Sequence, residues 1–391
     1  MSERMALFVA REYPYPLNGG DKISAHGYIS SLRDMGYTID LITYDTCATY
    51  PEIELFRRVA LISKPPKLRL FEMLRCAITR DSYLFRRYSS SRNKRQLHAF
   101  IKGKNYDIVF VAHSYMEQVL PDTFRRECKS NMVLSAEAME TFALRASAAL
   151  QRSAIKRFLL KLEAGRCEKR ELETFQTCKR VLFYSADEAQ WYQTTSEIDN
   201  GTYIPLGLDL KRYMIKPRIS NHPYRLVFYG NYTWYPNEDG LHYLLEEIWP
   251  VLAANRSDVV LEIAGRKLPR WTERFQNTKS IRFVGEVDSI EKFISRADIV
   301  LAPIRIGGGV RLKILEAMAL GRPVIATNIA LEGNAAVACA EVLVANTADD
   351  FASQVDYLLS SGDVWQGIAN AARSYINRVH DYNVSVTPHL F

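Results

Sequence analysis

The sequence lacks any long hydrophobic run. No apolar stretch approaches the roughly 20 residues that a helix needs to span a bilayer. The opening MSERMALFVAREYPYP is too short and too mixed in polarity to predict a signal peptide. We therefore expect a cytoplasmic protein. With 391 residues, 48% hydrophobic and 24% charged, the chain is long enough for two domains that each have a core.

Cysteine is scarce, and the fingerprint of a dinucleotide oxidoreductase is missing. The six cysteines are scattered, without a C-x-x-C pair or a histidine at ligand spacing. They are Cys47, Cys76, Cys128, Cys167, Cys178 and Cys339. This pattern predicts reduced thiols and excludes a disulfide framework or a zinc site. The glycines after the first predicted strand do not form G-x-G-x-x-G, which disfavours a dinucleotide oxidoreductase.

Positive charge is concentrated in one segment. The formal net charge is +7, and residues 64–104 alone hold twelve Lys or Arg against Glu72 and Asp81. Such a stripe indicates a local anionic partner, for which lipid headgroups, a phosphorylated acceptor and nucleic acid are alternatives, or else a solvated helical face. Aromatic residues among the arginines suit a membrane surface. We expect 64–104 to contact the inner face of a membrane or an anionic acceptor, and we expect no nucleic-acid partner.

The most informative stretch is PIRIGGGVRLKILEAMALGRPVIAT, residues 303–327. It predicts a strand end, a glycine loop, a helix that begins near Val310, and a second strand. Consecutive glycines at a helix N-terminus let backbone N–H groups approach an anion closely, and Arg311 and Lys313 add two full charges. Glu316 lies about one turn further on, a carboxylate that is costly to bury without hydrogen-bond donors.

Two interpretations of this stretch are open. Glycine-rich loops often serve tight packing alone in α/β proteins. Three glycines combined with two cations and an inward glutamate form a more specific pattern than glycines alone. A diphosphate on the loop and a ribose on the glutamate explain the whole pattern, so we favour the binding site.

In the first half of the chain, polar or glycine residues follow several predicted strands. The first βαβ unit places Gly19 and Gly20 after its first strand, where open α/β sheets bind ligands. The strand NYDIVFVAHS ends at His113, and NMVLSAEAMET ends at Glu137 and Glu140. We expect the last two strands to deliver these side chains to one crevice, although a lone histidine or glutamate at a strand end more often has a structural role.

The alternation of strands and helices is interrupted once. The stretch MIKPRISNHPYR, residues 214–225, has two prolines and no periodicity, which is typical of a linker. The sequence therefore predicts one Rossmann-like domain over 1–213 and a second over 214–375. We expect a C-terminal helix, 376–391, to pack back onto the first domain.

The second-half motifs resemble the retaining GT-B glycosyltransferases of family 4. VFYGNYTWYPNEDGLHYLL, LEIAGRKL, IRFVGEVDSIEKFISRADIVLAPI and GGGVRLKILEAMALGRPVIAT follow one another in the family's order within 224–327. The likeness extends more loosely over 5–45 and 105–210. It implies an α/β protein of GT-B fold, with two Rossmann-like domains facing across a cleft. The nucleotide-sugar donor would lie mainly on the second domain and the acceptor mainly on the first.

The resemblance also implies roles for individual residues. The diphosphate would be contacted by Gly307, Gly308, Gly309, Val310, Arg311 and Lys313. Glu316 would bind the ribose. The base would lie against Gly285, Glu286 and Val287. Further donor contacts would come from Gly230, Asn231 and Gly265, an acceptor or phosphate loop from Gly19 and Gly20, and catalytic groups from Glu137 and His113.

Three departures from the family pattern stand out. The first acid of the E-x7-E motif would fall at Gly308. The Arg/Lys pair that often follows the first strand of the second domain is absent from GNYTWYPN. Glu137 occupies the place where many relatives have the active-site histidine. Donor binding stays an expectation, whereas the placement of the donor sugar is less well defined.

The function that the resemblance implies is transfer of a sugar from a UDP- or GDP-linked donor to a hydroxyl of a glycan or lipid-linked acceptor. Transfer would proceed with retention, in glycan, lipopolysaccharide or exopolysaccharide assembly. Charge that develops on the leaving phosphate must be stabilised, and Arg311, Lys313 and the helix start supply positive charge. No D-x-D follows a strand, so we expect metal-independent activity and no cofactor. The alternatives are a nucleotide-sugar 2-epimerase and a non-catalytic GT-B scaffold that binds sugar nucleotides.

Overall fold

The structure is a computed structural model, and its contacts divide the chain into two compact units. It describes residues 4–17, 19–45, 49–65, 70–149, 151, 153–218, 222–306, 310–333, 336 and 340–390. The first unit is Met1–Leu208 together with Tyr382–Phe391, and the second unit is Asp209–Asp381. Among the described helices, none combines the length and the apolar character that crossing a membrane requires.

A seven-stranded parallel sheet forms the centre of the first unit. Its strands are β1 (Arg4–Ala10), β2 (Tyr37–Tyr44), β3 (Arg58–Ile62), β4 (Ile108–Ala112), β5 (Met132–Ser135), β6 (Arg180–Phe183) and β7 (Gly201–Tyr203). Their order in the sheet is β3-β2-β1-β4-β5-β6-β7. Strands β1 and β4 are central, and their ALFVA and IVFVA residues are buried. Near-continuous apolar strands are expected where helices cover both faces of a parallel sheet.

Helices of the first unit connect these strands. They are α1 (Gly20–Asp34), α2 (Leu70–Thr79), α3 (Tyr83–Tyr88), α4 (Ser91–Ile101), α5 (Asp122–Glu127), α6 (Glu140–Ala149), α7 (Ala154–Phe175) and α8 (Ala186–Thr195). Helix α1 lies over the sheet centre, where Tyr28 packs against Phe110 and Phe110 stacks on Phe8 with ring centroids 5.0 Å apart. Ser185 caps α8 by accepting a hydrogen bond from the Glu188 N–H, as its sequence predicts.

The second unit repeats the architecture with six parallel strands. They are β8 (Tyr224–Asn231), β9 (Val259–Arg266), β10 (Ile281–Gly285), β11 (Ile299–Ala302), β12 (Val324–Ala326) and β13 (Leu343–Val344), in the order β10-β9-β8-β11-β12-β13. Its helices are α9 (Tyr235–Tyr243), α10 (Trp249–Asn255), α11 (Ile290–Ile294), α12 (Leu312–Ala319), α13 (Asn328–Leu331), α14 (Ala348–Ser360) and α15 (Gly362–Val379), with a π-helical turn, Leu244–Ile248, between α9 and α10. The sequence prediction of two α/β, Rossmann-like domains is confirmed.

Several elements differ from the sequence predictions. Residues 64–104 contain the three helices α2, α3 and α4, and strand β3, which the sequence analysis did not identify, precedes them. Strand β3 is five residues long, lies at the sheet edge and begins at Arg58. A strand of five residues that begins with an arginine gives little period-two signal. Helix α12 begins at Leu312, two residues later than predicted.

The chain returns to the first unit near its end. Residues 376–379 continue helix α15 of the second unit, and a short helix, α16 (Tyr382–Ser385), then packs on the first unit. The Tyr382 N–H donates to the Leu208 carbonyl, and the Tyr382 hydroxyl donates to Asp34 at 2.6 Å.

The cysteines in the described part of the chain are free thiols. They are Cys76, Cys128, Cys167 and Cys178, and all four are buried. Burial raises the pKa of the Cys128 thiol to about 12, as desolvation does for any group that is charged when deprotonated. The prediction of reduced thiols is confirmed for these four, whereas Cys47 and Cys339 lie outside the described residues.

Strands β8 and β9 leave no room for a side chain where they meet at their carboxyl ends. Gly230 pairs with Gly265 there. Gly265 has a φ of +140°, and a Cβ on it would lie 1.8 Å from the Gly230 carbonyl oxygen. Only glycine fits this backbone conformation and this contact without a rearrangement.

We predict that Gly265→Ala destabilises the protein by roughly 3 kcal/mol or more, because a backbone clash is added to an unfavourable φ. Denaturant unfolding monitored by circular dichroism measures the change. The control is Gly362→Ala, since a Cβ at Gly362 meets nothing within 4 Å. Equal unfolding midpoints for the two variants would contradict the packing argument.

Candidate functional site

Two clusters of polar residues occur at the carboxyl ends of parallel strands, one in each unit. In the second unit, helix α12 starts close to the end of β8. The glycines Gly307, Gly308 and Gly309 lie outside the described residues, so their role in phosphate binding stays a prediction. Val310 is half-buried and directly precedes Arg311, which occupies the N-cap position of α12.

Lys313 extends from α12 to the end of strand β8. Its ammonium donates to the Tyr229 carbonyl at 2.9 Å and to Asn237 Oδ1 at 2.8 Å, and it lies 4.4 Å from the centroid of the Phe228 ring. Burial, and then the nearby charge of Arg311, lower the pKa of Lys313 to about 7. Because the ammonium form is disfavoured by burial, an anion that enters the site would stabilise it and raise the pKa of Lys313.

Glu316 is buried, with 4% of its surface exposed. Its partners are two tyrosine hydroxyls that the sequence analysis did not identify. Tyr229 donates to Oε2 at 3.1 Å, and Tyr213 approaches Oε1 at 3.4 Å. The Tyr229 hydroxyl also lies 3.0 Å from the Lys313 carbonyl. Tyr229 is buried within β8 and Tyr213 precedes the linker, so no local pattern connects either with Glu316.

The Tyr229 hydroxyl explains how Glu316 is accommodated. A hydroxyl has a single proton to donate, and here it faces both a carboxyl oxygen and a backbone carbonyl. A protonated Glu316 can donate to Tyr229, which then donates to the carbonyl. Burial raises the pKa of Glu316 to about 7, against the opposing effect of the Tyr229 hydrogen bond. The carboxyl group is thus partly protonated near neutral pH, and it would release its proton to solvent if a ligand that donates hydrogen bonds stabilised the carboxylate.

Arg311 lies beside an exposed tryptophan. Its guanidinium is 5.3 Å from the centroid of the Trp234 ring, and Nη2 donates to the Ile306 carbonyl at 3.4 Å. Only 5% of Arg311 is exposed, against 47% of Trp234. The sequence analysis named Arg311 and missed Trp234, whose position in GNYTWYPN gave no signal for this pairing.

The remaining predicted donor contacts lie at the carboxyl edge of the same sheet. Gly230 and Asn231 end β8, and Gly285 ends β10, with φ of +77°. The Asn231 carbonyl accepts from the Asn237 amide at 2.9 Å. A Cβ on Gly230 would meet that amide at 2.8 Å. Gly230 therefore already has a packing role, independent of any ligand.

The two residues that follow β10, Glu286 and Val287, differ in their exposure to solvent. Glu286 is exposed and forms an ion pair with Arg266 at 2.6 Å. Val287 is half-buried. Their contact with a nucleotide base stays a prediction, because surface ion pairs of this kind carry little information about binding.

In the first unit, the predicted residues Gly19 and Gly20 start helix α1. Gly19 is its N-cap in an extended conformation, and Gly20 is its first residue. A Cβ on either glycine would meet nothing within 4 Å, so packing does not require glycine here. Their role as an acceptor or phosphate loop stays a prediction.

His113 and Glu137 lie close together, as expected for two neighbouring strands that end at one edge. His113 Nε2 is 3.8 Å from Glu137 Oε2 and 3.6 Å from Asp21 Oδ2. Glu137 Oε1 accepts from the Ser24 hydroxyl at 3.0 Å. Asp21 also forms an ion pair with Arg11. Sequence analysis missed Asp21, Ser24 and Arg11, although Asp21 directly follows the two predicted glycines.

The three titratable groups of this cluster differ in protonation. Burial opposes the charge on Asp21, but the hydrogen bond and charge of His113, then Arg11, outweigh it and lower the pKa of Asp21 to about 2. Burial raises the pKa of Glu137 to about 7, with partial compensation by His113. Burial disfavours the imidazolium of His113, but Glu137 and Asp21 outweigh that effect and raise its pKa. The cluster can therefore exchange a proton near neutral pH.

Among the described residues, Asp21, His113 and Glu137 are also a group whose potential metal-ligand atoms all lie within 4.8 Å of one another. The guanidinium of Arg11 contacts the same Asp21 carboxylate. A divalent ion at this point would lie beside a fixed positive charge. The arrangement suits an imidazolium better than a metal ion.

The basic segment 64–104 contributes less apolar surface than its sequence suggested. Phe85, Leu97 and Ile101 are buried in the core of the first unit, and Tyr88 stacks on Tyr115 with centroids 4.4 Å apart. Phe85 and Tyr88, two of the aromatic residues of this segment, therefore stabilise the fold. Contact of 64–104 with a membrane or an anionic acceptor stays a prediction.

Similarity to known proteins defines the class of the molecule. A sucrose-phosphate synthase from Thermosynechococcus elongatus superposes with a TM-score of 0.70 at 14% identity, covering 97% of this chain and 96% of that chain. The Anabaena protein HepE in complex with UDP-glucose superposes with a TM-score of 0.64 at 12% identity, covering 99% and 98%. The two parallel-sheet units thus have the GT-B glycosyltransferase fold.

The sequence of the second unit also matches a known protein family. Residues 223–361 match the family described as glycosyl transferases group 1. A Klebsiella pneumoniae protein, described as an uncharacterized 44.6 kDa protein in cps region, is 22% identical over 389 residues, 96% of each chain. The family match lies within the second unit, where the motif order placed the resemblance.

We predict that Glu137→Gln lowers the pKa of His113, because the carboxylate that stabilises the imidazolium is replaced by a neutral amide. NMR titration of the imidazole signals measures the pKa, with His113→Gln used to assign the resonance. The matched control is Glu127→Gln, which removes an exposed carboxylate of the same unit. A His113 pKa that stays the same or rises in Glu137→Gln would contradict the assigned coupling.

Proposed function

We propose that this protein is a family 4 retaining glycosyltransferase. It transfers a hexosyl unit from a nucleotide diphosphate sugar, UDP- or GDP-linked, to a hydroxyl of a glycan or lipid-linked acceptor. The reaction serves glycan, lipopolysaccharide or exopolysaccharide assembly at the cytoplasmic side of a membrane. The group 1 family of the second unit supports the transferase class, and the UDP-glucose complex of HepE shows that one protein of the same fold binds such a donor.

The observation that carries the donor proposal is the grouping of Arg311, Lys313 and Glu316 on the first turns of α12. Two cations and one carboxyl group follow the predicted phosphate loop within six residues. Both the Lys313 and the Glu316 pKa values are about 7. A diphosphate would stabilise the ammonium, and two ribose hydroxyls would stabilise the carboxylate. A ligand that carries both a diphosphate and a ribose would therefore stabilise the charged forms of Lys313 and Glu316 together.

In the proposed reaction, negative charge accumulates on the leaving diphosphate as the glycosidic bond to the sugar breaks. Arg311, Lys313 and the N-terminus of α12 stabilise that charge. In the first unit, the Glu137 and His113 pair assists the acceptor hydroxyl by accepting its proton, and Asp21 and Arg11 hold His113 in place. The proposal requires no metal ion, because protein cations face the diphosphate.

The test of the donor site is nucleotide affinity. We predict that Glu316→Gln weakens UDP or GDP binding by about ten-fold to several hundred-fold, because charge-assisted bonds to the ribose hydroxyls are lost. Isothermal titration calorimetry with wild type and variant measures the affinities. The melting temperature without nucleotide should not fall, since glutamine resembles the protonated carboxyl group.

The matched control for this measurement is Glu273→Gln, an exposed glutamate of the same unit. It should bind nucleotide with wild-type affinity. If Glu316→Gln binds every nucleotide as tightly as wild type does, Glu316 is only a structural residue of α12 and the ribose assignment is wrong.

The two pKa values of about 7 lead to a separate prediction on proton exchange. Ribose hydroxyls that donate to Glu316 lower its pKa, so this group releases a proton on binding near pH 7. A diphosphate raises the Lys313 pKa, so this group takes up a proton. We predict that, relative to wild type, Lys313→Met releases more protons on binding UDP and Glu316→Gln takes up more. Calorimetry in buffers of different ionisation enthalpy measures the number.

Protons that belong to UDP itself cancel in the comparison of wild type with Glu316→Gln, because both proteins retain Arg311 and Lys313. The opposite signs of the two differences are the diagnostic result. Identical proton numbers for wild type and both variants would show that neither group changes its protonation state when the nucleotide binds.

A further inference from the structure

Helix α7 begins with two turns that expose large apolar side chains. The exposed fractions are 73% for Ile155, 65% for Phe158, 55% for Leu159 and 43% for Leu162. We refer to these four residues as the apolar stripe. The helix is stable at this end, because the Ser153 side chain accepts a hydrogen bond from the Lys156 N–H. Exposed large apolar residues are normal singly, but a contiguous patch of them indicates a contact surface.

The stripe lies on the face of α7 that points away from the core. Its members follow the spacing i, i+3, i+4 and i+7, which places them on one side of a helix. At about 100° per residue, the stripe lies roughly 160° from the buried face of the same helix. That buried face includes Ala164, Cys167 and Glu171. Packing within the unit therefore does not account for the stripe.

Positive charge borders the stripe. Lys156, Arg157 and Lys161 are exposed, and the segment 153–162 contains no acidic residue. The first acidic residue, Glu163, is turned toward α3 and accepts from the Ser82 hydroxyl at 2.8 Å and the Leu84 N–H at 3.1 Å. Lysine stems can lie along an apolar surface while the ammonium groups reach outward to polar headgroups.

We propose that the first two turns of α7 are a docking element for the surface of an anionic lipid bilayer. The stripe would enter the boundary between headgroups and acyl chains, and the bordering cations would contact the anionic headgroups. Helix α2, which packs on α3 as α7 does, adds Ile78, 84% exposed, between the exposed Arg75 and Arg80. The proposed contact therefore involves α7 and α2 in place of the buried aromatic residues of 64–104.

The charge pattern favours a lipid surface over a second copy of the chain. In a two-fold symmetric contact the same patch meets itself, which would bring the three cations of one copy close to those of the other at a cost in free energy. Two helical turns also fall far short of the 20–30 residues per side of a standard protein interface. An anionic bilayer satisfies both the apolar stripe and its positive border.

Vesicle flotation of the full chain tests the proposal. Wild type should float with vesicles of equal parts phosphatidylcholine and phosphatidylglycerol, and not with phosphatidylcholine alone. Phe158→Gln/Leu162→Gln should reduce the bound fraction on the order of ten-fold, because the apolar stripe is lost while the net charge and helix propensity are kept. Lys156→Gln/Lys161→Gln should also reduce binding, because two cations near the anionic surface are lost.

Two matched controls distinguish binding through this surface from nonspecific binding of the protein to vesicles. Ile53→Gln/Ile198→Gln removes two exposed apolar residues elsewhere on the first unit, and Arg126→Gln/Lys129→Gln removes two exposed cations. Both controls should bind as wild type does. Equal flotation of wild type and Phe158→Gln/Leu162→Gln would overturn the proposal, as would a wild-type dimer in gel filtration that this variant converts to a monomer. The assay contains no nucleotide, so its outcome is independent of the donor proposal, which calorimetry tests.

Discussion

The parallel sheets determine where polar side chains can lie in this protein. In each unit every strand runs in the same direction, and the central strands are buried on both faces. Side chains within such a sheet must be apolar or carry a hydrogen-bond partner. The polar side chains of the two clusters therefore lie where the strands end. His113 and Glu137 follow β4 and β5, and Lys313 reaches the end of β8.

Burial at these strand ends also sets the protonation of the groups. Glu137, Glu316 and Lys313 have pKa values of about 7 for one shared reason, which is that desolvation disfavours their charged forms. Perturbed values of this kind are common at functional sites, and structural networks also produce them. Glu171 shows the second case. Its pKa is also raised to about 7 by burial, yet its carboxylate accepts from Thr141 and from backbone N–H groups that fix the start of α6.

Sequence predicted the architecture and part of each cluster, and the reasons for the rest are physical. Motif order and period located the strands, and with them His113, Glu137 and Glu316, because strand ends and helix turns are local features. Tyr213, 103 residues from Glu316, contacts it only through the fold, so no spacing rule reveals it. Asp21 directly follows Gly19 and Gly20 in the sequence. Its interaction with His113, at 3.6 Å, depends on the fold and could not be predicted from that position. The sequence could not show whether the aromatic residues of 64–104 are buried or exposed. An amphipathic pattern predicts an apolar face, but the same pattern suits a protein core and a membrane surface.

The structure also gives a physical account of one departure from the family pattern. The Arg/Lys pair that often follows the first strand of the second domain is absent, but Lys313 donates to the carbonyl of Tyr229 near the end of that strand. Positive charge is therefore present at the same edge, supplied from α12. The loop after the strand instead carries Trp234, whose ring lies beside the Arg311 guanidinium. A ring at this distance interacts favourably with a cation, so the tryptophan helps to hold Arg311 beside the helix start. The cations at this edge of the sheet are therefore carried by α12, and the loop after β8 contributes an aromatic ring that packs against one of them.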